Sequence, residues 1–156
     1  MTQRTTSIQG NVMHEEITLS YNYALGEVAG RFMEGLKDRK ILATRCSRSG
    51  MVYLPPRIFC ERSFEKCDSW VEADHKGVIE ASTIVVRGFE GSRTPPVAIA
   101  FVRLDGIDSA IANYVEDLDM TDVEAAMDRI APGARVEVRF IAEPEGKVTD
   151  FYFVLA

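Results

Sequence analysis

The sequence has no long apolar run. Its 156 residues contain no stretch that approaches the roughly 18 apolar residues needed to cross a bilayer. The N-terminal segment MTQRTTSIQGNVMHEE is polar and lacks the apolar centre of a signal peptide. These two absences predict a protein without a membrane-bound segment.

Cysteine and histidine are also scarce. The three cysteines are Cys46, Cys60 and Cys67. They are few, and an odd number leaves one unpaired, so they do not form a disulfide framework. We therefore expect a reducing, cytoplasmic location. The two histidines are His14, in the polar N-terminal segment, and His75, beside Asp74. An Asp-His pair with a serine elsewhere is not a triad signature. We therefore predict no catalytic residues and no activity of the chain on its own.

Charge is unevenly distributed along the chain. The net charge is −6, yet the segment from Lys37 to Lys66 holds eight basic and three acidic residues and carries +5. The segment from Asp105 to Asp128 holds eight acids and no base. Long-range repulsion then makes nucleic acid an unfavourable partner. The basic segment either meets a compact anion or an acidic partner, or is a set of solvated loops.

The N-terminal half divides into two predicted parts. Residues 1–40 are a polar tail, loose over residues 1–16, followed by a helix from Glu27 in which Val28, Phe32 and Leu36 share one face. Residues 41–76 have no long period, hold all three cysteines, and contain Pro55–Pro56, which excludes a helix or a central strand there. This second part is predicted to be a small separate lobe.

Residues 77–156 alternate in the manner of β-strands. Strands are predicted over 78–86, 96–104 and through 110–114, with Asp105–Gly106 as a two-residue hairpin turn. A helix follows, with Thr121 and Glu124 as its capping box, and two more strands end the chain. Three strands, a helix and two strands are the order of an OB-fold barrel. A bulged α+β sheet is the alternative.

The cysteine segment has the spacing of a zinc ribbon with two ligands replaced. Cys46-x2-Ser49 and Cys60-x2-Ser63 would each be a C-x2-C knuckle if serine were cysteine. A serine hydroxyl resists deprotonation and is a poor zinc ligand. Losing two of four ligands removes most of the roughly 10–16 kcal/mol that structural zinc contributes. Cys67 and His75 lack the spacing of a knuckle.

We therefore predict a lobe without zinc, with no metal-binding residues and with its cysteines acting as small buried hydrophobes. Apolar contacts would hold it together, through Ile41, Val52, Tyr53, Leu54, Phe59 and Trp70.

These motifs resemble a family of two-part proteins, in which a rubredoxin-like zinc ribbon precedes an OB-fold. The resemblance covers about residues 20–156 and departs from the family pattern at Ser49 and Ser63. It is carried by a helix with F-x-x-x-L, a Lys-Ile pair, C-x2-S-G, an aromatic residue and P-P-R-x2-C. The matching residues are Phe32, Leu36, Lys40, Ile41, Cys46, Gly50, Tyr53, Pro55, Pro56, Arg57 and Cys60.

The resemblance implies a mainly β protein with an N-terminal helix, a small degenerate zinc-ribbon lobe, and a five-stranded OB-fold barrel with one helix between strands three and four. It also implies a non-catalytic accessory subunit that associates with a thiolase-like or aldolase-like enzyme and helps to bind acyl-CoA. The alternative functions are an OB-fold nucleic-acid-binding module and a stand-alone enzyme, and the alternative assembly is a homodimer that buries the ribbon face.

The same resemblance suggests which residues would bind CoA. Arg57, held rigid by two prolines, presents a fork suited to a phosphate, and Arg45 and Arg48 are near in sequence. Tyr53 or Phe59 would stack on the adenine. The structural alternative for Arg57 is that it bonds loop carbonyls and holds the ribbon against the barrel.

Overall fold

The computed structural model describes residues 3–88 and 91–156 and shows a mainly β fold. Its first part contains β1 (Gln3–Gln9), β2 (Val12–Thr18), α1 (Gly26–Lys37), β3 (Leu42–Arg45), β4 (Val52–Tyr53) and β5 (Ser69–Glu72). Its second part contains β6 (Lys76–Val85), β7 (Val97–Leu104), β8 (Ile111–Val115), α2 (Val123–Arg129), β9 (Arg135–Phe140), a 3-10 turn (Val148–Asp150) and β10 (Phe151–Leu155).

The N-terminal segment is a hairpin, so the prediction of a loose tail over residues 1–16 is wrong. β1 and β2 pair antiparallel, with Gln9 opposite Val12 across a two-residue turn. Gly10 has a φ of 58°, which this tight connection requires. The side chains of residues 6–15 are all exposed, so this part of the hairpin adds nothing to the core.

Helix α1 packs on β3 through its apolar face. Phe32 and Leu36 are buried, as expected from their spacing. Gly35 allows the close approach, because a Cβ there would lie 2.8 Å from the Leu42 side chain. The helix ends as Arg39 adopts a φ of 58° and Lys40 donates its backbone N–H to Gly35. Among the described residues, neither α1 nor α2 is long and apolar enough to cross a membrane.

The C-terminal strands form the OB-fold. Antiparallel pairing links β8, β7, β6, β9 and β10 in that order. β10 also pairs with β8 in parallel, through one pair of residues, Phe153 and Val115. This single residue pair closes the strand order into a barrel. Inward residues alternate along β7, where Ala98, Ala100 and Val102 are buried. The order of three strands, a helix and two strands follows the sequence prediction.

The cap of α2 differs from the predicted capping box. Asp122, not Thr121, is the N-cap, and its side chain accepts a hydrogen bond from Ala125 N at 3.0 Å. Thr121 instead donates its hydroxyl to Asp119 at 2.7 Å. Because the Thr121 hydroxyl bonds to the Asp119 carboxylate, it does not cap the helix, and the N-cap lies one residue later at Asp122.

The ribbon is a small three-stranded sheet in the order β4–β3–β5. Successive side chains of the segment that contains β4 pack into two different hydrophobic clusters. Val52 and Leu54 belong to the main core shared with α1 and the OB-fold, whereas Tyr53 belongs to a second cluster with Cys46 and Cys60. Because successive side chains of a strand point to opposite faces, one short segment joins both clusters.

The loop after β7 fastens the ribbon to the OB-fold. The Asp108 carboxylate accepts from Val52 N at 2.8 Å, and Val52 O accepts from Asp108 N at 2.9 Å. The Ser109 hydroxyl accepts from Leu54 N at 2.8 Å and donates to Leu54 O at 2.9 Å. The loop therefore runs from Asp105 to Ala110, and the predicted two-residue hairpin at Asp105–Gly106 is wrong.

Replacing Asp108 by alanine tests this attachment. The change leaves the N–H of Val52 without a partner, and Val52 is 7% exposed. We expect the free energy of unfolding to fall by about 1–3 kcal/mol. Urea denaturation followed by circular dichroism measures it.

Glu143→Ala is the matched control, because Glu143 is an exposed acidic residue of another loop and no hydrogen bond or ion pair involves its side chain. It should change stability by less than about 0.5 kcal/mol. Equal effects of the two substitutions would contradict the role of Asp108.

Candidate functional site

Two similar backbone turns meet at the outer end of the ribbon. The first turn covers residues 46–51, where Cys46 N donates to Met51 O and Gly50 N donates to Cys46 O. The second covers residues 60–65, where Cys60 N donates to Glu65 O and Phe64 N donates to Cys60 O. The two turns make equivalent hydrogen bonds, so they are the paired knuckles that the sequence spacing predicts.

The four knuckle side chains bond across from one turn to the other. Cys46 Sγ lies 3.2 Å from Ser63 Oγ, and Ser49 Oγ lies 3.2 Å from Cys60 Sγ. The Tyr53 hydroxyl lies 3.2 Å from Cys60 Sγ. Both cysteines are 1% exposed. We call Cys46, Ser49, Cys60 and Ser63 the knuckle quartet.

Hydroxyl groups determine the protonation of this quartet. Burial opposes the charged form of Cys60, but hydrogen bonds from Ser49, Ser63 and Tyr53 outweigh it and lower the pKa of the thiol to about 5. Hydrogen bonds from Ser49 and Ser63 also lower the pKa of Cys46. The hydrogen bond to Cys60 raises the pKa of Tyr53 to about 12. Tyr53 therefore stays protonated at neutral pH and donates a hydrogen bond to Cys60.

The donor set of the quartet does not fit zinc. Two cysteine sulfurs and two neutral serine hydroxyls converge, whereas structural zinc sites use four thiolate or imidazole ligands. Within residues 3–88 and 91–156, no three His, Cys, Asp or Glu side chains form a group that could hold a metal ion. Cys67 packs against the cluster, where burial raises the pKa of its thiol. The expectation of a lobe without zinc stays a prediction.

The residues predicted to contact CoA lie in different environments. Tyr53 is fully buried, so its ring cannot stack on an adenine, and that part of the prediction is wrong. The Arg57 guanidinium lies 4.9 Å from the centre of the Tyr53 ring and pairs with Glu61. Arg48 pairs with Glu65. Arg45 is exposed, and no carboxylate of the described chain pairs with it.

The exposed apolar residues of the ribbon are the feature that the sequence interpretation missed. Phe59, predicted to hold the ribbon together, is 55% exposed, and its neighbour Ile58 is 54% exposed. Phe64 is 83% exposed. We call residues 57–66 the ribbon tip. Exposed basic residues flank its apolar side chains: Arg57, Arg62 and Lys66.

Phe64 adopts a backbone conformation that a bulky residue rarely takes. Its φ is 58°, and the equivalent position of the first knuckle is Gly50, with a φ of 77°. A side chain other than glycine in this region costs about 1–2 kcal/mol. The Phe64 side chain recovers little of this cost within the chain, because it packs on almost nothing. Comparing the two knuckles in the sequence, glycine in one and phenylalanine in the other, would have revealed this position.

An apolar groove lies where α1, the ribbon and the OB-fold meet. Its volume is about 400 Å³, and its walls include Phe32 and Met33 from α1, Pro55 and Pro56 from the ribbon, and Phe101 from β7. Arg57 directly follows the two prolines. The groove wall at Pro56 is thus adjacent in the chain to the first residue of the ribbon tip.

A second opening lies on the OB-fold face beside the loop between β6 and β7. Arg93 lies 4.3 Å from the centre of the Tyr114 ring and forms an ion pair with Glu116 at 2.5 Å. This opening of about 440 Å³ is also lined by Tyr152. The carboxylate of Glu116 neutralises the one cation that faces the opening among its described lining residues.

Residues 70–140 match the family model described as the C-terminal OB-fold domain of ChsH2. This part of the chain is an OB-fold. The mainly β class and the OB-fold prediction are confirmed. A comparison with curated protein sequences finds no match.

Two solved structures have a similar fold over most of the chain. One is a protein of unknown function from the DUF35 family of Sulfolobus solfataricus, at 24% identity and a TM-score of 0.60, covering 84% of this chain and 87% of that one. The other is an Ltp2-ChsH2(DUF35) aldolase, at 18% identity and a TM-score of 0.61, covering 85% of this chain and 96% of that one. At these identities the likeness shows the fold alone.

The knuckle quartet predicts a characteristic dependence of stability on pH. The folded state lowers the pKa of Cys60 from 9.0 to about 5, so its stabilising effect is complete above pH 9 and is lost as the pH falls through about 5. We expect the melting temperature to fall more steeply from pH 9 to pH 5 in the native chain than in Cys60→Ser.

Cys67→Ser is the control and should keep the native slope, because burial raises rather than lowers the pKa of Cys67. Ultraviolet absorbance of the thiolate measures the titration directly. Identical slopes for the native chain and Cys60→Ser would show that Cys60 is protonated in the folded protein.

Proposed function

We propose that this chain is a non-catalytic accessory subunit, which docks through its ribbon tip on an acyl-CoA-processing enzyme of the thiolase or aldolase type. The supporting observation is the ribbon tip itself. It exposes Ile58, Phe59 and Phe64 beside several basic side chains. An apolar centre with a charged rim is the usual composition of a protein interface.

The strained position of Phe64 supports this role for the tip. Backbone strain at an exposed aromatic residue destabilises the isolated chain without any internal contact to offset it. A partner pocket that encloses the ring supplies the missing contact. Aromatic residues in such pockets often dominate the binding energy.

The kind of partner follows from charge and from the fold. Within the tip three basic residues face two acidic ones, Glu61 and Glu65, and Arg57 pairs with Glu61. The remaining bases, Arg62 and Lys66, favour an acidic surface, because complementary charge accelerates and orients association. One structure of similar fold is described as an aldolase that contains a DUF35 protein, which is consistent with a partner of the aldolase type. A homodimer that buries the same tip remains the alternative arrangement, although like charges on both copies oppose it.

The absence of a catalytic arrangement also favours an accessory role. In the described residues, no hydrogen bond joins a histidine side chain to a serine, threonine or cysteine, and His14 lies on the exposed hairpin. Cys60 has hydroxyl and amide neighbours and no base beside it. The partner would then supply the nucleophile and the general base.

Acyl-CoA binding is the second part of the proposal. The apolar groove between α1, Pro55–Pro56 and Phe101 suits a pantetheine arm or an acyl chain. Arg45, and Arg57 after leaving Glu61, would meet the phosphates, and the exposed ring of Phe59 would stack on the adenine. Arg48 would contribute only by leaving Glu65. We expect CoA to bind the complex more tightly than either subunit alone.

A nucleic-acid-binding OB module is the competing function. Tyr114 beneath Arg93 resembles a stacking platform, but Glu116 pairs with that arginine. Residues 77–156 contain fourteen acids and seven bases, which opposes a polyanion. A salt-sensitive shift of single-stranded DNA at micromolar protein would favour this function over the first.

Association is tested with the full chain. The chain is tagged in its native host, and the thiolase- or aldolase-like proteins that co-purify are then produced and titrated individually by calorimetry, with and without CoA. The proposal predicts a defined complex whose CoA affinity exceeds that of the partner alone. Binding of no such enzyme, or activity on acyl-CoA by the isolated chain, would overturn it.

The substitution Phe64→Gly distinguishes the effect of Phe64 on the stability of the isolated chain from its effect on binding to the partner. Glycine relieves the positive φ, so the isolated chain should gain up to about 1 kcal/mol of stability, while the complex with the partner weakens at least tenfold. Denaturation and calorimetry measure the two effects. Asp117→Gly, at a φ of 56° outside the ribbon, is the control and should leave partner binding unchanged. Loss of stability together with unchanged partner binding would contradict this assignment.

Arg62→Glu tests the charge of the tip. Arg62 is exposed and has no ion-pair partner in the described chain, so reversal should slow association with an acidic partner and reduce its dependence on salt. Arg129→Glu, an equally exposed arginine on α2, is the matched control. Stopped-flow association rates at two salt concentrations distinguish the two variants, and equal effects would argue against a basic docking surface.

A further inference from the structure

We infer that the ribbon has replaced its metal with two hydroxyl–sulfur hydrogen bonds while keeping the backbone cradle of a four-ligand site, so that the native chain folds without zinc and two substitutions restore zinc binding. The inference concerns the knuckle quartet alone and does not depend on the proposed function.

The backbone of both knuckles is preserved. Each cysteine N–H donates across its own turn, at 2.9 Å from Cys46 to Met51 O and at 2.8 Å from Cys60 to Glu65 O. The residue four positions after each cysteine has a positive φ and donates its N–H back to the cysteine carbonyl. Ser63 N also lies 3.4 Å from Cys60 Sγ. The two turns therefore have the shape that brings four side chains to one point.

The serines provide the link between the knuckles that a metal would otherwise provide. Ser63 bonds to Cys46 and Ser49 bonds to Cys60, both at 3.2 Å, so each hydrogen bond joins one knuckle to the other. A central metal ion makes the same connection through four bonds. Each of the four side chains of the quartet therefore has a hydrogen-bond partner in the opposite knuckle.

Serine in place of cysteine at both Ser49 and Ser63 has a chemical advantage over a change at only one of them. Four cysteines without metal would place four ionisable sulfurs in one cluster, where burial and mutual repulsion oppose their charged forms and only a metal cation would stabilise them. Replacing one cysteine in each knuckle removes two of these potential charges and supplies two donors for the remaining sulfurs. The ribbon can then hold its tip in place without a metal.

The test compares the native chain with Ser49→Cys/Ser63→Cys. Both are purified with reductant from cells supplied with zinc, dialysed, and analysed for metal by mass spectrometry. The inference predicts negligible zinc in the native chain and about one equivalent in the double variant. Cobalt(II) should produce a tetrahedral thiolate spectrum only in the double variant. Chelator should lower the melting temperature of the double variant and leave that of the native chain unchanged.

Cys67→Ser is the control and should behave as the native chain in every assay. Stoichiometric zinc in the native chain, with a melting temperature that chelator lowers, would overturn the inference. A folded double variant that takes up neither zinc nor cobalt would also overturn it, because the cradle would then not be preserved. If the double variant does not fold, the zinc content and chelator response of the native chain still decide whether the ribbon is independent of metal.

Discussion

The arrangement of this protein depends on the contacts of one extended segment, residues 52–54, which contains β4. Val52 and Leu54 pack into the main core with α1 and the OB-fold, and Tyr53 between them packs against the two knuckle cysteines. The backbone of the same segment bonds to Asp108 and Ser109 in the loop after β7. Because one extended segment serves both cores, the ribbon is fixed on the OB-fold and its tip is presented in a defined direction. The exposed side chains of the tip therefore form a fixed surface on a rigid support.

The sequence was most informative where a regular period reports burial. The alternation in residues 77–156 predicted the strands of the OB-fold and their order around α2. It could not predict the start of α2, because two neighbouring residues, Thr121 and Asp122, are both good caps and the choice depends on a third side chain, Asp119. The N-terminal hairpin was missed because its exposed residues carry no burial pattern, although Gly10–Asn11 has the composition of a tight turn.

Long-range contacts account for the other errors. Asp105–Gly106 has a strong local preference for a hairpin, but Asp108 and Ser109 bind a segment more than fifty residues earlier, and this attachment lengthens the loop. Tyr53 and Phe59 are both aromatic residues near the prolines, and nothing local indicates that the first is buried and the second exposed. The spacing of Cys46 and Cys60 indicated two similar turns, because each turn is local. The hydrogen bonds that Ser49 and Ser63 make across them were not predicted, since the sequence analysis treated the cysteines only as small hydrophobes.

The central claim is that the ribbon tip is the docking surface, and hydrogen–deuterium exchange with and without the partner enzyme tests it most directly. The account predicts slower exchange of the backbone amides over residues 57–66 in the complex, with Cys60 N and Phe64 N among those protected further. The account predicts little change in the exchange rates of the backbone amides of β6 and β9. Protection confined to the OB-fold face around Tyr114, with the tip exchanging as in the free chain, would contradict it.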